Sequence, residues 1–410
     1  MPADSVTRSG RSLPGGGALI SAARCVTYNQ SNLRAAVQQC IGALPDLQRV
    51  FAEAERVLLK PNVLSSWQGP EAHVNTHPGV VRALGEILIA DFGCRIAIGD
   101  SCGSLGHGST ARALERSGME AVAGEIGAEV YNVDQQPRRT LRSEGSVIFK
   151  DIPLPANLDR FDLIVSVAKL KTHLLTYMTG AVKNLLGLVP GAAKKNLHLL
   201  APRPDEFATA LCDLYAALPR SVAVIDGVVG MGGRGPSNGA LRRVGLVAAG
   251  ADPVAVDSFC AQVMGFAPLQ VPLLARCAQR GLGVAAPEEI QVVGEPAAAF
   301  APTNFARPPT YAATLAADLV PRWLVRRFIS AFNTTYARIN QDICRQCGEC
   351  ERNCPSKAIF FDEESRTYHV NRARCISCYC CAEVCPHDAV EVAPSMPTRI
   401  KEWIKGKVKR

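Results

Sequence analysis

Two runs near the C-terminus repeat one pattern: Cys344-x2-Cys347-x2-Cys350-x3-Cys354-Pro355, then Cys375-x2-Cys378-x2-Cys381-x3-Cys385-Pro386. No other feature of the chain limits its local fold so tightly. Three thiolates spaced in this way wrap one centre as a tight loop, and a fourth, braced by proline, reaches across to a second centre. This is the ligand spacing of two 4Fe–4S cubes, each held by four thiolates. It assigns Cys344, Cys347, Cys350 and Cys385 to the first cube, and Cys375, Cys378, Cys381 and Cys354 to the second. Four-cysteine zinc sites usually arrive as two separated C-x2-C pairs, which these runs are not. A disulfide framework is the mark of a secreted chain, and nothing in the sequence indicates one.

Residues 341–395 resemble a bacterial dicluster ferredoxin, and the likeness goes beyond the cysteines. Pro355-Ser-Lys-Ala-Ile-Phe360 and Pro386-His-Asp-Ala-Val-Glu391 each follow that family's pattern of a short strand after Cys-Pro, and Tyr368-His369-Val370 fits the paired strand. Tyr379-Cys380 departs from the family, which usually has glycine after the second cysteine, as at Gly348. Cys380 is a ninth cysteine in the module and reads as a bystander, since each cube already has four thiolates.

The remaining 340 or so residues are long enough for a large core and more than one domain. Charged residues are 20% of the chain, a soluble globular composition, and no run approaches 18 consecutive apolar residues, so no membrane span is expected. Residues 1–17 are polar and glycine-rich, without the apolar core of a signal peptide, and read as a flexible tail. A chain rich in oxygen-sensitive thiolates is expected in the cytoplasm. The net charge is +8. Much of it lies in a basic tail, 396–410, where Arg399 to Arg410 holds six Lys/Arg and one acid. A solvated tail is the expectation, with peripheral contact to anionic lipid or an acidic partner as the alternative.

Residues 18–300 read as one α/β domain. Short β-branched runs (56–60, 95–99, 161–168, 221–226 and 244–249) alternate with helical patterns at 31–43, 78–91, 109–127, 205–217 and 253–264. Continuous apolar strands separated by helices predict a mostly parallel sheet covered by helices on both faces. The small C-terminal domain is expected to be α+β and ferredoxin-like. Between them, 301–340 is punctuated by Pro302, Pro308, Pro309 and Pro321 and carries the basic amphipathic stretch Trp323–Phe332. It reads as a helical linker.

Four predicted strands run directly into polar or glycine-rich residues: Lys60-Pro61-Asn62, Gly99-Asp100-Ser101, Lys169-Leu-Lys171-Thr172-His173, and Asp226-Gly227 followed by Met231-Gly-Gly-Arg-Gly-Pro236. Ligands of open α/β sheets bind beyond the carboxyl ends of strands, so these exits predict a site. From Leu163 to Pro204 there are six Lys/Arg and no Asp or Glu. Cations without counter-ions, set among hydroxyls and glycines, suit a bound carboxylate or phosphate. A nucleic-acid surface is not expected, because interleaved aromatics and a known nucleic-acid fold are both missing.

The residues at these exits resemble the domain-of-unknown-function family 362. The likeness rests on Lys60-Pro61-Asn62, Gly99-Asp100-Ser101, Lys169-x-Lys171-Thr172-His173, Gly180-Ala-Val-Lys183-Asn184-Leu-Leu-Gly187, Asp226-Gly227 with Gly235-Pro236, and Asp252-Pro253-Val-Ala-Val-Asp257. It covers most of 45–265. Members are often fused to a ferredoxin module, and the resemblance implies that these positions form one site without naming a substrate.

The candidate roles follow. Lys169, Lys171 and Lys183 hold the anion, His173 delivers a proton near neutral pH, and Asp100 and Asp226 orient the site. Lys60, Asn62, Ser101, Asn184, Gly232 and Gly235 are cofactor-binding candidates. Gly230-x-Gly232-x-x-Gly235 matches a dinucleotide fingerprint by letters, but Pro236-Ser-Asn-Gly follows it instead of a helix; it still offers backbone amides to an anion. Asp100, Asp226, Asp252 and Asp257 are hard oxygen ligands for a divalent metal, against which stands helix capping for Asp252. His77 before Pro78 reads as a turn residue, and Cys102 on its glycine-rich turn is a candidate reactive thiol, although a lone cysteine is more often inert. A flavin is the other cofactor that would suit one-electron clusters feeding a two-electron reduction, although no flavin motif is present. The first reading is an iron–sulfur oxidoreductase fed by a redox partner protein. The second is a non-catalytic electron carrier whose α/β domain docks a partner or cofactor. A binding or racemase-type enzyme with purely structural clusters is the third.

Overall fold

The computed structural model describes residues 17–104, 108–143, 145–300, 305–311 and 336–393. The predicted linker helix at Trp323–Phe332 and the basic tail lie outside these residues.

The apolar runs form strands and the amphipathic runs form helices in strict succession. In chain order they are β1 (Ala18–Arg24), α1 (Gln30–Gly42), α2 (Pro45–Glu53), β2 (Arg56–Pro61), α3 (Pro78–Phe92), β3 (Arg95–Asp100), α4 (Ser109–Arg116), α5 (Met119–Ile126) and β4 (Glu129–Asn132). A hairpin follows, β5 (Arg138–Arg142) with β6 (Asp151–Pro155), and then β7 (Leu163–His173), β8 (Tyr177–Thr179), α6 (Ala181–Asn184), α7 (Gly191–Leu200) and α8 (Pro204–Ala217). The domain ends with β9 (Ser221–Gly232), β10 (Ala240–Gly250), α9 (Pro253–Val263), α10 (Pro272–Gln279), β11 (Ile290–Gly294) and α11 (Ala297–Phe300). Pro45, Pro78, Pro204, Pro253 and Pro272 each open a helix, where the missing N–H costs nothing.

Among the described residues the main sheet has nine strands in the order β11-β1-β10-β9-β7-β2-β3-β4, with β8 paired to β7. The neighbours β9, β7, β2, β3 and β4 are all parallel. β10, predicted only as one more strand of the series, runs antiparallel to both β9 and β1. The short turn between β9 and β10 makes them a hairpin, which cannot be parallel. Successive side chains alternate between the two faces. Leu58, Ala97 and Ile164 enter one core with α8 and α9, while Val57, Leu59, Ile98 and Val165 enter the other with α1 and α3. The helix predicted over 109–127 breaks into α4 and α5 at Ser117-Gly118, where Gly118 takes φ +78°.

From β2 the chain winds outward through β3 and β4, then returns to β7 and winds the other way through β9. The direction of winding therefore reverses between β2 and β7. Diverging connections leave a crevice at the carboxyl ends of such a strand pair.

The C-terminal module comprises β12 (Tyr336–Ile339), α12 (Glu349–Arg352), β13 (Ile359–Asp362), β14 (Thr367–Val370), α13 (Cys380–Val384) and β15 (Val390–Ala393). β12 pairs β15 and β13 pairs β14, both antiparallel. The two halves repeat their cap chemistry: Cys344 and Cys375 each follow a turn closed by Asn340 and Asn371. Its small core includes Leu174 of the α/β domain. The loop after β9 also grips the module. Arg234 pairs with Asp388 (2.9 Å) and donates to the Val390 carbonyl (2.9 Å), and Ser237 donates to the Glu383 carbonyl (2.5 Å).

Candidate functional site

The crevice between β2 and β7 is a chamber with a cavity volume of about 110 Å3, closed on one side by the C-terminal module. Its floor is built from strand ends: Lys60 and Asn62 after β2, Asp100 and Ser101 after β3, His173 and Thr179 from β7 and β8. One wall comes from α6 and α7, with Lys183, Asn184, Gly187, Gly191, Lys194, Lys195 and His198. Positions 191, 194, 195 and 198 recur at i, i+3, i+4 and i+7, so α7 turns one face to the chamber. The roof is α13 of the module, through Cys380, Glu383 and Val384.

The cations here differ in what they already hold. Lys60 Nζ contacts Asp100 (2.8 Å), the Asn184 amide oxygen (2.9 Å) and the Pro61 carbonyl (2.7 Å). Burial brings its ammonium down to about 8, against the pull of Asp100. Lys194 donates to the Ser101 and Cys102 carbonyls (2.5 and 2.8 Å). Gly187 packs against the Lys60–Asp100 pair so closely that a Cβ would fall 1.8 Å from Asp100 Oδ1, which explains glycine there. Lys183 forms no ion pair or hydrogen bond among the described residues, and burial lowers its pKa. It is the cation left for an incoming anion.

His173 Nδ1 accepts from the backbone N–H of Leu175 (3.1 Å) and Thr176 (3.4 Å), so its proton sits on Nε2. That nitrogen lies 3.0 Å from Glu383 Oε1. The contact is bent from hydrogen-bond geometry, and Oε1 has no other partner among the described residues. Burial pushes His173 down to about 4, as it does His198. Burial opposes ionisation of Glu383 too, but the surrounding imidazoles and Lys183 bring it down to about 2. The arrangement is a neutral imidazole beside a carboxylate. His198 stacks on Phe207 (centroids 4.6 Å apart), and its Nδ1 is buried without a partner. Thr179 Oγ1 is likewise buried and unpartnered.

Several predicted residues stand elsewhere. β7 extends through His173 instead of ending at Ala168, so Lys169 and Lys171 are strand residues, fully buried. Lys169 pairs with Asp226 (2.9 Å) and donates to Tyr28 (2.7 Å), whose hydroxyl donates to Asp226 (2.8 Å). Lys171 donates to the Val74 carbonyl (2.7 Å). These three residues lie outside the chamber lining, so Lys169, Lys171 and Asp226 are not presented to a ligand there. Gly232 and Gly235 are covered by Ala306 and Thr172, whose atoms lie 3.2 and 2.1 Å from where a Cβ would be, and offer no open cradle. The four aspartates do not converge. Asp252 caps α9, and Asp257 accepts from the Ala181 and Val182 amides of α6. Cys102 is buried and burial raises its thiol pKa, which makes it inert. His77 accepts from Gly79 N (3.1 Å) at the start of α3, a turn role. Sequence reasoning missed α7 and, in α13, Glu383 and Cys380. The spacing of Gly191, Lys194, Lys195 and His198 was the available signal for α7.

In the module, Cys344, Cys347, Cys350 and Cys385 line one small cavity. Burial, and then the neighbouring Cys378, Cys375, Cys350 and Cys354, push the Cys381 thiol pKa up. The amides of Ala358 and Ala389 donate to Cys354 Sγ (3.1 Å) and Cys385 Sγ (3.3 Å). Convergent cysteines with N–H donors on their sulfurs fit a cluster-binding donor set.

A family model described as a domain of unknown function (DUF362) matches residues 57–262, half of the chain. The chain belongs to that family. A 4Fe-4S dicluster domain model matches residues 343–389 of this DUF362 protein, so its C-terminal module is a 4Fe-4S ferredoxin-type domain. The protein is 28% identical over 270 residues to a thylakoid-associated protein (sll1697) of Synechocystis sp., covering 66% of this chain and 81% of the relative. A 54-residue stretch is 37% identical to the archaeal glutamate synthase [NADPH] of Archaeoglobus fulgidus, covering 13% of this chain and 11% of that protein. The lactate racemase apoprotein from Thermoanaerobacterium thermosaccharolyticum aligns with a TM-score of 0.38 and 11% identity, over 60% of this chain and 57% of that one. No helix among the described residues is long and apolar enough to cross a membrane.

Proposed function

We propose that this DUF362 protein is an iron–sulfur oxidoreductase that passes electrons from two 4Fe–4S clusters to a small anionic molecule held in the chamber. One observation carries the reading. Helix α13 bears Cys381, a cluster ligand by its spacing, and the same helix puts Glu383 and Cys380 into the chamber roof. The electron source and the cavity therefore share a single turn of helix.

When bound, the clusters supply electrons one at a time. Cys344, Cys347, Cys350 and Cys385 hold the first and Cys375, Cys378, Cys381 and Cys354 the second. Cys347 is exposed and Cys344 and Cys375 are half-buried, whereas Cys350, Cys354, Cys378, Cys381 and Cys385 are buried. The exposed Cys347 would mark the face on which a one-electron donor protein docks. Lys183 captures the anion, with Lys195 at the rim. Glu383 accepts a hydrogen bond from the bound molecule, and His173, held through Nδ1 with Nε2 3.0 Å from Oε1, positions Glu383. The Lys183 ammonium, made more acidic than usual by burial, can give a proton to the bound molecule.

Anaerobic reconstitution followed by iron analysis and EPR after dithionite reduction tests the cluster part. About eight irons per chain with coupled signals support two cubes. About four would remove the second cluster and with it the route to the chamber. Iron in place but no small carboxylate or phosphate accepting electrons would favour the electron carrier.

A further inference from the structure

Cys380 is not needed as a cluster ligand by the spacing of the two runs, yet its side chain faces the chamber. The ligand atoms of Cys380, Cys378 and His198 lie within 4.8 Å of one another. Among the described residues no other trio of His, Cys, Asp or Glu converges in this way. A second observation points to a ligand at the same place. His198 is 8% exposed, and its Nδ1 is buried without a hydrogen-bond partner. A buried imidazole nitrogen left unpaired is destabilising unless something binds it.

We propose that Cys380 and His198 form a binding site for one thiophilic divalent cation on the chamber side of the second cluster, with the Cys378 sulfur as a shared third donor. This goes beyond the redox reading and does not require its substrate. Thiolate and imidazole are the donors that zinc and its first-row neighbours prefer. Tetrahedral coordination would set S–N and S–S separations of about 3.6 and 3.8 Å, from bond lengths near 2.3 and 2.0 Å. The three ligand atoms now lie within a 4.8 Å envelope, somewhat wider than this coordination needs. A thiolate that already binds one iron retains lone pairs, so Cys378 can bridge.

The surroundings fit a site with an open position. Phe207 stacks on the His198 ring and fixes its plane. Lys183 lines the same chamber as Cys380 and His198. Two thiolates neutralise the cation, and Lys183 then attracts an anion to the fourth position. Three protein donors and one exchangeable position are the pattern of a catalytic rather than a structural metal site.

The test uses the full chain, reconstituted anaerobically with both iron and sulfide measured, and titrated with Co2+. The expected result is one Co2+ per chain beyond the cluster iron, with thiolate-to-cobalt charge-transfer and tetrahedral d–d absorption. Cys380→Ser and His198→Gln should each weaken binding by about 100-fold or more, the upper end of what losing a mere supporting group does. Iron, sulfide and reduced-cluster EPR should stay at wild-type levels in both, which also reports that the variants fold. Absence of cobalt binding in the wild type would overturn the proposal, as would binding retained in both variants. Loss of iron in Cys380→Ser would also overturn it, by making Cys380 a cluster ligand. Lys183→Ala separates the two ideas: cobalt should still bind, whereas reoxidation by an anion should fail.

Discussion

At the scale of single residues, the basic stretch from Leu163 to Pro204 divides into two kinds of lysine. Lys169 has a buried counter-ion in Asp226, and Lys183 has none. Asp226→Asn leaves Lys169 charged and uncompensated in the interior, which costs about 3–5 kcal/mol. Thermal unfolding of that variant should begin far below wild type. Lys183→Ala should melt within a few degrees of wild type and yet lose anion-dependent behaviour. The buried imidazoles make a second prediction. Burial holds His173 and His198 at about 4, below the ordinary value near 6.5. The unfolded chain therefore takes up protons that the native chain refuses as pH falls from about 6.5 to 4, and stability drops across that window. Glu383, held at about 2, loses its contribution lower, as pH falls through roughly 4.5 to 2, in the same direction. Denaturant titrations at pH 7.5, 6 and 5 should show progressively lower midpoints, with a shallower trend in His198→Gln. The sequence told which residue types crowd the strand ends, because charge and spacing are local. It did not tell which lysine found a partner, because Tyr28 and Asp226 reach Lys169 from 141 and 57 positions away.

At the scale of elements, the alternation of apolar strands with helices was readable because each strand is buried on both faces and so appears as an unbroken apolar run. The antiparallel β10 was not, since its composition matches its parallel neighbours and only the short β9–β10 turn sets its direction. Strand length misled in the same way. β7 continues through Lys169 and Lys171, charged residues that a strand pattern excludes unless distant partners satisfy them. Helix α7 carries no continuous apolar face, so its chamber-facing Gly191, Lys194, Lys195 and His198 read only as a basic segment. Gly187, which joins α6 to α7, tests this element directly. Gly187→Ala places a methyl 1.8 Å from Asp100 and 2.5 Å from Lys60 Nζ. The variant should lose about 2–4 kcal/mol of stability. It should also weaken anion binding, because α7 must move outward. A wild-type melting curve for Gly187→Ala would contradict this packing.

At the scale of the whole molecule, the 4Fe-4S module was the most legible feature and the chamber the least. Eight cysteines carry their chemistry in their spacing, whereas the chamber exists only where two domains meet. Cys380 illustrates the difference. Counting ligands makes it superfluous, and only the docking of α13 over the β2–β7 crevice gives it a surrounding. That docking rests on Arg234 to Asp388 and Val390, Ser237 to the Glu383 carbonyl, and Leu174 in the module's core. Arg234→Ala should leave iron content unchanged while slowing electron delivery to the chamber, because a looser α13 no longer holds Glu383 against His173. The central claim is that the clusters discharge into a molecule bound at Lys183, and it is tested most directly by stopped-flow reoxidation. The dithionite-reduced protein would be mixed anaerobically with small carboxylates and phosphates, wild type beside Lys183→Ala. The account predicts that one of these anions bleaches the reduced clusters with saturable kinetics in wild type, and that Lys183→Ala needs at least about tenfold more anion for the same rate, the loss of one charge-assisted contact. Clusters that stay reduced with every anion, or an equal response in Lys183→Ala, would contradict it.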